Sequence, residues 1–265
     1  MRAALIYWNV SPDIFTIGPF TIRWYGLLFA LSFIVGYQIM HVVFKKESKP
    51  ENDMNDLIWY MILGTVFGAR LGHCFFYNPS YYLANPLEIL QVWKGGLASH
   101  GAAIGILLAL YLFTKKKKEY NYLWVVDRIV ITVALSGFFI RMGNLFNSEI
   151  IGKPAELPWS FVFASVDNVP RHPAQLYEAI AYLVVFVILF LIYLRAFAKL
   201  KPGFLLGMFL VFVFGFRFFV EFLKEDQTYF EQGMTLNMGQ LLSIPFVLLG
   251  VYLLLRKDKK VIKIQ

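Results

Sequence analysis

Residues 123–152 read LWVVDRIVITVALSGFFIRMGNLFNSEIIG, an apolar run that ends in an arginine, two asparagines and a glutamate. A helix needs roughly 20 mostly apolar residues to cross the hydrocarbon core of a bilayer, and the first part of this stretch meets that requirement. The whole chain agrees, since 58% of its 265 residues are hydrophobic and only 16% are charged. This composition predicts an integral membrane protein.

Outward from this stretch, the apolar runs predict an all-α, polytopic fold with seven transmembrane helices in one domain over residues 1–265. The segment at about 148–172 is too short and too rich in proline to cross, so we expect an external strand-like or interfacial piece between helices 4 and 5. The predicted spans are residues 19–44, 54–78, 96–114, 122–146, 173–194, 203–223 and 236–255.

Basic residues alternate between the connections. They are dense after the first, third, fifth and seventh spans, as in the lysine run 115–118, and sparse in the other connections. The positive-inside rule therefore predicts an outer N-terminus and a cytoplasmic C-terminus. Because the lysines flank apolar spans, the net charge of +8 does not indicate a nucleic-acid partner.

Several polar side chains fall at membrane depth, where ionisable groups usually face a partner, a cavity or a reaction site. We expect most of them to converge on one outward-facing pocket. They are Arg23, Tyr25, Arg70, His100, Asp127, Arg128, Arg141, Asn144, Gln175, Glu178, Arg217 and Glu221.

Arg141 and Asn144 are three residues apart, so a helix places them on one side, while Gly152 and Pro154 after them predict that Glu149 lies in a turn. Headgroup anchoring with asparagine caps is the alternative for this group. Arg217 and Glu221 have the spacing of an intrahelical ion pair. The planar guanidinium suits a phosphate, so arginines at one depth indicate an anionic headgroup as ligand.

His100 lies among small residues and is the best general-base candidate, because histidine is the side chain that most often transfers protons near neutral pH, although a packed histidine is the simpler interpretation. Cys74 is the only cysteine and the four histidines are scattered over different spans, so we expect no metal site and no cofactor.

With these residues in view, the chain resembles the bacterial prolipoprotein diacylglyceryl transferases. The signature of that family is similar to Arg141, Gly143, Asn144, Asn147, Glu149 and Gly152. A second stretch looks like Trp93, Gly95, Gly96, His100 and Gly101, and the sequence HPAQLYE from His172 to Glu178 matches a third. The likeness also includes RWYG at 23–26, Arg217, Glu221 and MGQLLSIP at 238–245.

The resemblance implies transfer of the diacylglyceryl group of phosphatidylglycerol to the lipobox cysteine thiol in a prolipoprotein signal peptide, forming a thioether and releasing glycerol phosphate. It implies a multi-pass enzyme of the bacterial inner membrane whose site faces the periplasm. The nucleophile then belongs to the substrate, and Cys74 serves packing.

Under this interpretation Arg141 and Arg217 hold the phosphate, and His100 accepts the thiol proton, with Glu149 or another carboxylate behind it as the alternative base. We expect the other substrate-binding residues to be Tyr25, Asn144, Asn147, Gly152, Gln175, Glu178 and Glu221.

Two other functions compete with the transferase. An anion or lipid transporter would use the same arginines, but it needs polar positions through the cytoplasmic half of the spans, where runs such as LVVFVILFLIYL at 183–194 are apolar. An intramembrane protease needs a Ser/His or Asp/Asp pair at membrane depth, and none stands out in the sequence.

Overall fold

The computed structural model describes residues 5–18, 20–92, 95–226, 231 and 233–257. Over these residues the chain is mostly helical, with five short strands. The strands are β1 (Ile6–Trp8), β2 (Asp13–Ile17), β3 (Phe20–Arg23), β4 (Phe161–Phe163) and β5 (Pro170–Arg171). The helices are α1 (Trp24–Lys46), α2 (Glu51–Tyr77), α3 (Pro79–Ala84), α4 (Ser99–Lys116), α5 (Tyr122–Phe146), α6 (Ala174–Ala196), α7 (Phe204–Val220) and α8 (Met238–Leu255).

Six of these helices are long and apolar enough to cross a membrane, namely α1, α2, α5, α6, α7 and α8. The prediction of a polytopic helical membrane protein is confirmed at this level. A helix also stands at the predicted third span, as α4. Its apolar part is short because Ser99 and His100 occupy one end and Lys115 and Lys116 the other.

The prediction that the first span begins at residue 19 is wrong, because residues 20–23 form β3 and the helix begins at Trp24. β3 pairs antiparallel with β2 as a hairpin, and Gly18 lies between them at φ +56°. Alternating threonine with isoleucine or phenylalanine favours a strand. Because a hydropathy average does not separate alternation from a continuous apolar run, an all-α description leaves this hairpin out.

The segment between α5 and α6 is strand-like, as predicted. β4 pairs in parallel with β1 and antiparallel with β5, giving a sheet of order β1-β4-β5. Buried Phe161 and Phe163 pack with Leu145, from the last turn of α5, and with Trp8 of β1. This small core fixes the chain that follows Arg141 against the end of its helix.

The described residues form two compact units, one of Ile39–Val126 and one that joins the chain up to Gln38 with the chain from Asp127 onward. In the first unit α2 and α4 pack backbone to backbone through glycines. A Cβ added to Gly68 would lie 2.5 Å from the Gly101 carbonyl oxygen, and one on Gly105 would lie closer still to the Gly64 carbonyl oxygen. Small residues at four-residue spacing permit such an approach between membrane helices. The glycines near His100 therefore serve helix packing.

In the second unit, Asp127 is fully buried near the start of α5, far along that helix from Arg141. Its carboxylate accepts the backbone N–H groups of Gly203 (2.7 Å) and Leu206 (2.8 Å) at the beginning of α7. A carboxylate at a helix N-terminus satisfies amides that have no partner within the helix. Asp127 is thus a helix cap, at the end of the span that the sequence predicts to be cytoplasmic.

Candidate functional site

The polar cluster of the second unit is built where four helices end. α5 contributes Arg141 and Asn144 from its last turns, and α6 contributes Gln175 and Glu178 from its first turns. Arg217 lies near the end of α7, Glu221 follows it, and Asn237 caps the start of α8. Antiparallel neighbours bring alternate helix ends to one side, so residues far apart in sequence meet here. We call Arg141, Glu178, Arg217, Glu221 and Lys224 the arginine cluster.

Arg141 is held by two neighbours. Its Nε lies 3.0 Å from Glu178 Oε2, and its Nη1 donates to Asn144 Oδ1 at 3.1 Å. The Arg141 side chain is 13% exposed and that of Glu178 is 0% exposed. A charged pair at such burial needs good geometry and further hydrogen bonds to offset desolvation. Tyr182 supplies one, because its hydroxyl donates to Glu178 Oε1 at 3.2 Å.

Lys224 joins the two halves of the cluster. Its Nζ lies 3.0 Å from Glu178 Oε2 and 2.9 Å from Glu221 Oε1, with the side chain only 2% exposed. Glu221 Oε1 also lies 3.3 Å from Arg217 Nε, which confirms the predicted intrahelical pair. Asn237 Nδ2 donates to the other Glu221 oxygen at 3.2 Å. Arg217, at 36% side-chain exposure, is the most accessible cation of the cluster.

Glu149 lies in a turn after α5, as predicted. Its Oε1 accepts hydrogen bonds from Asn144 Nδ2 (2.7 Å) and Asn147 Nδ2 (3.2 Å), and its backbone carbonyl accepts one from Gln175 Nε2 (2.7 Å). The flanking residues Ser148 and Ile150 have φ of +52° and +59°. Positive φ is unfavourable for a β-branched residue such as Ile150, so the surrounding contacts impose this turn.

Gly152 of the predicted site and Gly143 of the family signature serve close packing. Gly152 forms an antiparallel bridge with Lys224, and its N–H donates to the His172 carbonyl at 3.0 Å. A Cβ at Gly152 would lie 2.5 Å from that carbonyl oxygen, and one at Gly143 would lie 2.7 Å from Tyr25 Cδ2. Tyr25, predicted to bind substrate, is thereby placed against the last turns of α5. Gly152 positions Lys224 beside the two glutamates.

His172 and Arg171 organise the chain just before α6. Trp159 Nε1 donates to the Tyr177 hydroxyl (2.9 Å), which lies 3.1 Å from His172 Nδ1. Burial lowers the pKa of His172, so this ring is held neutral. Arg171 binds Asp167 through Nη2 at 2.6 Å, and this hydrogen-bonded guanidinium lowers the pKa of that carboxyl.

His100 belongs to the other compact unit, in the first turn of α4. It is exposed, and its ring packs edge-on to Phe76 at 4.9 Å between centroids and lies 6.0 Å from Tyr77. Of the related motif, Gly95, Gly96 and Gly101 are described, whereas Trp93 lies outside the described residues.

Arg70 and Arg23 each have partners within their own compact unit. Arg70, 2% exposed, donates to backbone carbonyls of the segment that leads to α4, including those of Glu88 and Gly95 at 2.6 Å each. Arg23 forms an exposed ion pair with Asp13 in the hairpin, at 3.0 Å. Both arginines thus have structural partners.

Sequence reasoning missed Lys224 of the arginine cluster and Asn237, which donates to Glu221. The charge pattern of the sequence places Lys224 in an outer connection, where charge is normally solvated. The signal that could have found it is its i, i+3 spacing from Glu221 immediately after a membrane span. Asn237 stands just before an apolar span with Gln240 three residues later, which is the pattern of a capping box.

Comparison with known proteins identifies relatives over almost the whole chain. A family model described as prolipoprotein diacylglyceryl transferase matches residues 12–256. The phosphatidylglycerol–prolipoprotein diacylglyceryl transferase of Chloroherpeton thalassium is 52% identical over 97% of this chain and 96% of its own length. Proteins of the same name from Tolumonas auensis and Bacteroides fragilis are each 46% identical, covering 97% and 96% of this chain and 99% and 96% of their own lengths.

Proposed function

This chain belongs to the prolipoprotein diacylglyceryl transferase family, and from that membership we propose that it transfers the diacylglyceryl group of phosphatidylglycerol to the lipobox cysteine thiol of prolipoproteins. The products are a thioether-linked lipid and glycerol phosphate, and the reaction is the first step of lipoprotein maturation. Family membership favours this activity over the transporter that would use the same arginines.

The observation that carries the mechanism is the arginine cluster at the common end of α5, α6 and α7. In the proposed reaction the cysteine sulfur forms a bond to the glyceryl carbon of the lipid, and the bond from that carbon to the phosphate oxygen breaks. Arg141 and Arg217 bind the phosphate and stabilise the charge that it gains as it leaves. Glu178 and Glu221 orient these arginines through ion pairs at 3.0 and 3.3 Å.

The thiol proton must pass to a base, because the thiolate is the nucleophile and an ordinary thiol is mostly protonated at neutral pH. We assign this role first to His100, which is exposed at the start of α4. Glu149 is the alternative base, and its hydrogen bonds from Asn144 and Asn147 would fix the carboxylate for that role. Tyr25, Asn144, Asn147, Gly152, Gln175, Glu178 and Glu221 complete the proposed substrate-binding region.

The proposed orientation puts the arginine cluster at the outer face of the bacterial plasma membrane, with α4 as the seventh span. The opposite ends of α6 and α8 support this, because Arg195, Lys199, Lys201 and Arg256 lie there. A cytoplasmic excess of such residues determines orientation. In this orientation the lipobox cysteine of a signal peptide reacts with phosphatidylglycerol at the outer face of the membrane.

The test is release of glycerol phosphate when the purified protein is incubated with phosphatidylglycerol vesicles and a lipobox peptide. Release should require the peptide cysteine, and a Cys-to-Ser peptide is the control. Arg141→Lys should lower kcat/KM by about 100-fold or more, since lost stabilisation of transition-state charge costs this much. Arg195→Lys, a conservative change at the exposed opposite end of α6, should leave it unchanged. Wild-type rates in Arg141→Lys would exclude the phosphate role.

A second variant separates the two candidate bases. His100→Gln should abolish most thiol activation at neutral pH if the histidine accepts the proton. Raising the pH toward the thiol pKa should restore much of the rate, because the thiolate then forms without a base. Full activity of His100→Gln at neutral pH would instead eliminate the histidine as the base and leave Glu149 or another carboxylate.

A further inference from the structure

The β2–β3 hairpin presents one apolar face that the rest of the described chain leaves exposed. Phe15 pairs with Ile22 and Ile17 with Phe20 across the two strands, so all four side chains lie on the same face. They are 47%, 42%, 69% and 75% exposed, in that order. Contiguous exposed apolar surface of this kind marks an interaction site.

The other face of the hairpin is polar. Thr16 pairs with Thr21 on that face, and their hydroxyl oxygens lie 3.1 Å apart in a hydrogen bond. Arg23 and Asp13 form their exposed ion pair at the base of the hairpin. A two-stranded hairpin is marginally stable in water unless it packs a hydrophobic face against something. The division into two faces indicates that water meets the threonines and an apolar phase meets the aromatic and aliphatic side chains.

The hairpin continues directly into a membrane helix. β3 ends at Arg23, α1 begins at Trp24, and the Trp24 N–H donates to the Pro12 carbonyl at 3.1 Å, which ties the base of the hairpin to the start of the helix. Tryptophan is enriched at membrane–water interfaces. The hairpin therefore projects from the protein at the level where α1 enters the bilayer. Lipid is the apolar phase nearest to it at that level.

The same helix start contacts the end of α5. Trp24 stacks on Phe146 with centroids 4.8 Å apart, and Tyr25 lies against Gly143. Arg141 stands in the last turns of that helix. The depth at which the hairpin rests in the membrane is thus coupled, through packed aromatic rings, to the depth of the arginine cluster.

We propose that the apolar face of the β2–β3 hairpin is embedded at the headgroup–acyl boundary of the lipid leaflet that supplies the substrate, and that it holds Arg141 at the level of the lipid phosphates. The occupant of this face is lipid. Amphipathic elements with aromatic and aliphatic residues on one face bind membranes in this manner. The proposed effect on substrate use rests on the transferase function; the membrane contact itself does not.

The test places one nitroxide label at a time on the full chain, in a Cys74→Ala background that removes the buried native thiol. Labels at Ile17 and Phe20 report the apolar face, and labels at Thr16 and Thr21 are the matched controls on the polar face. The protein is reconstituted in vesicles of phosphatidylcholine and phosphatidylglycerol. Collision rates with oxygen, which concentrates in lipid, are compared with those of a water-soluble nickel complex.

We expect the labels at Ile17 and Phe20 to collide several-fold more with oxygen than with nickel, and the labels at Thr16 and Thr21 to show the reverse. Equal nickel access on both faces would overturn the proposal. Dipolar broadening between labels of two copies would also overturn it, by showing that a second chain covers the face. If the labels at Ile17 and Phe20 become protected from nickel only after a lipobox peptide is added, the face binds the polypeptide substrate. That result would also overturn the proposal.

A kinetic experiment tests the coupling to the site. Ile17→Ser combined with Phe20→Ser should raise the KM for phosphatidylglycerol in vesicles by several-fold with little change in kcat, and should have little effect when lipid and protein share detergent micelles. Thr16→Ser combined with Thr21→Ser is the control. An unchanged vesicle KM would overturn the positioning role. The label measurement needs no enzyme turnover. It therefore tests the membrane contact even if the protein proves not to be a transferase.

Discussion

Replacing Lys224 with methionine removes the cation that lies between two buried glutamates. Lys224 Nζ is 3.0 Å from Glu178 and 2.9 Å from Glu221, and the side chain is 2% exposed. Removing one partner from a buried ionic network costs about 3–5 kcal/mol, because the remaining charge is left poorly compensated. Glu178 keeps Arg141 and Glu221 keeps Arg217, so we expect the lower end, about 3 kcal/mol.

This loss is measured by thermal unfolding of the purified protein in detergent, followed by tryptophan fluorescence. For a chain of this size each kcal/mol shifts Tm by about 2–4 °C, so Lys224→Met should lower Tm by about 6–12 °C. Lys153→Met is the matched control, since the Lys153 side chain is exposed and its Nζ donates to the Phe222 carbonyl at 3.1 Å. It should shift Tm by about 2 °C or less.

The double variant Lys224→Met, Glu221→Gln decides whether the loss is electrostatic. Glu221→Gln removes the charge of one of the two carboxylates that lose Lys224, so the double variant should be more stable than the sum of the single changes predicts. A Tm of Lys224→Met within about 2 °C of wild type, or strict additivity in the double variant, would show that Lys224 does not join the two halves of the arginine cluster.

Two further predictions concern packing and protonation. Gly68→Ala should destabilise the protein by about 1–3 kcal/mol, because the added Cβ would lie 2.5 Å from the Gly101 carbonyl oxygen. Gly215→Ala is the control, since a Cβ there has open space and should not destabilise the protein. Chemical unfolding in detergent measures both changes. Burial lowers the pKa of His172, so the folded protein holds this side chain in its neutral form. As pH falls below about 6.5, the unfolded chain gains a proton on the histidine before the folded protein does, and the free energy of unfolding should decrease. His172→Asn should therefore show a shallower fall in Tm between pH 7 and pH 5, and parallel profiles would contradict this assignment.

Membrane helices were predictable because the length of an apolar run is a property of the local sequence. The hairpin was not, since Phe20 and Ile22 raise the hydropathy of a window whether they belong to a helix or to a strand. The decisive feature was that Thr16 and Thr21 alternate with apolar residues on both sides of Gly18. Alternation at every second residue indicates a strand, and a search for helical periodicity or for mean hydropathy does not detect it. The predicted first span therefore began at residue 19, before the helix begins at Trp24.

Polar residues at membrane depth predicted part of the site and overpredicted the rest. The rule that a buried charge needs a partner is sound, but the partner need not be a ligand. Asp127 satisfies the amides of α7 and Arg70 satisfies backbone carbonyls, so both are structural. Arg141 differs because its partners are side chains of a larger charged network. Sequence alone did not separate these cases, since the partners come from other elements.

The geometry of the two ion pairs explains why arginine suits this site. In both Arg141 and Arg217 the carboxylate lies against Nε, at 3.0 Å from Glu178 and 3.3 Å from Glu221. A guanidinium has five N–H donors in a planar fork, so the pair at Nε does not occupy the terminal nitrogens. A lysine at position 141 would have one nitrogen to serve both Glu178 and a phosphate. The loss expected for Arg141→Lys therefore follows from competition for that nitrogen while the positive charge is retained.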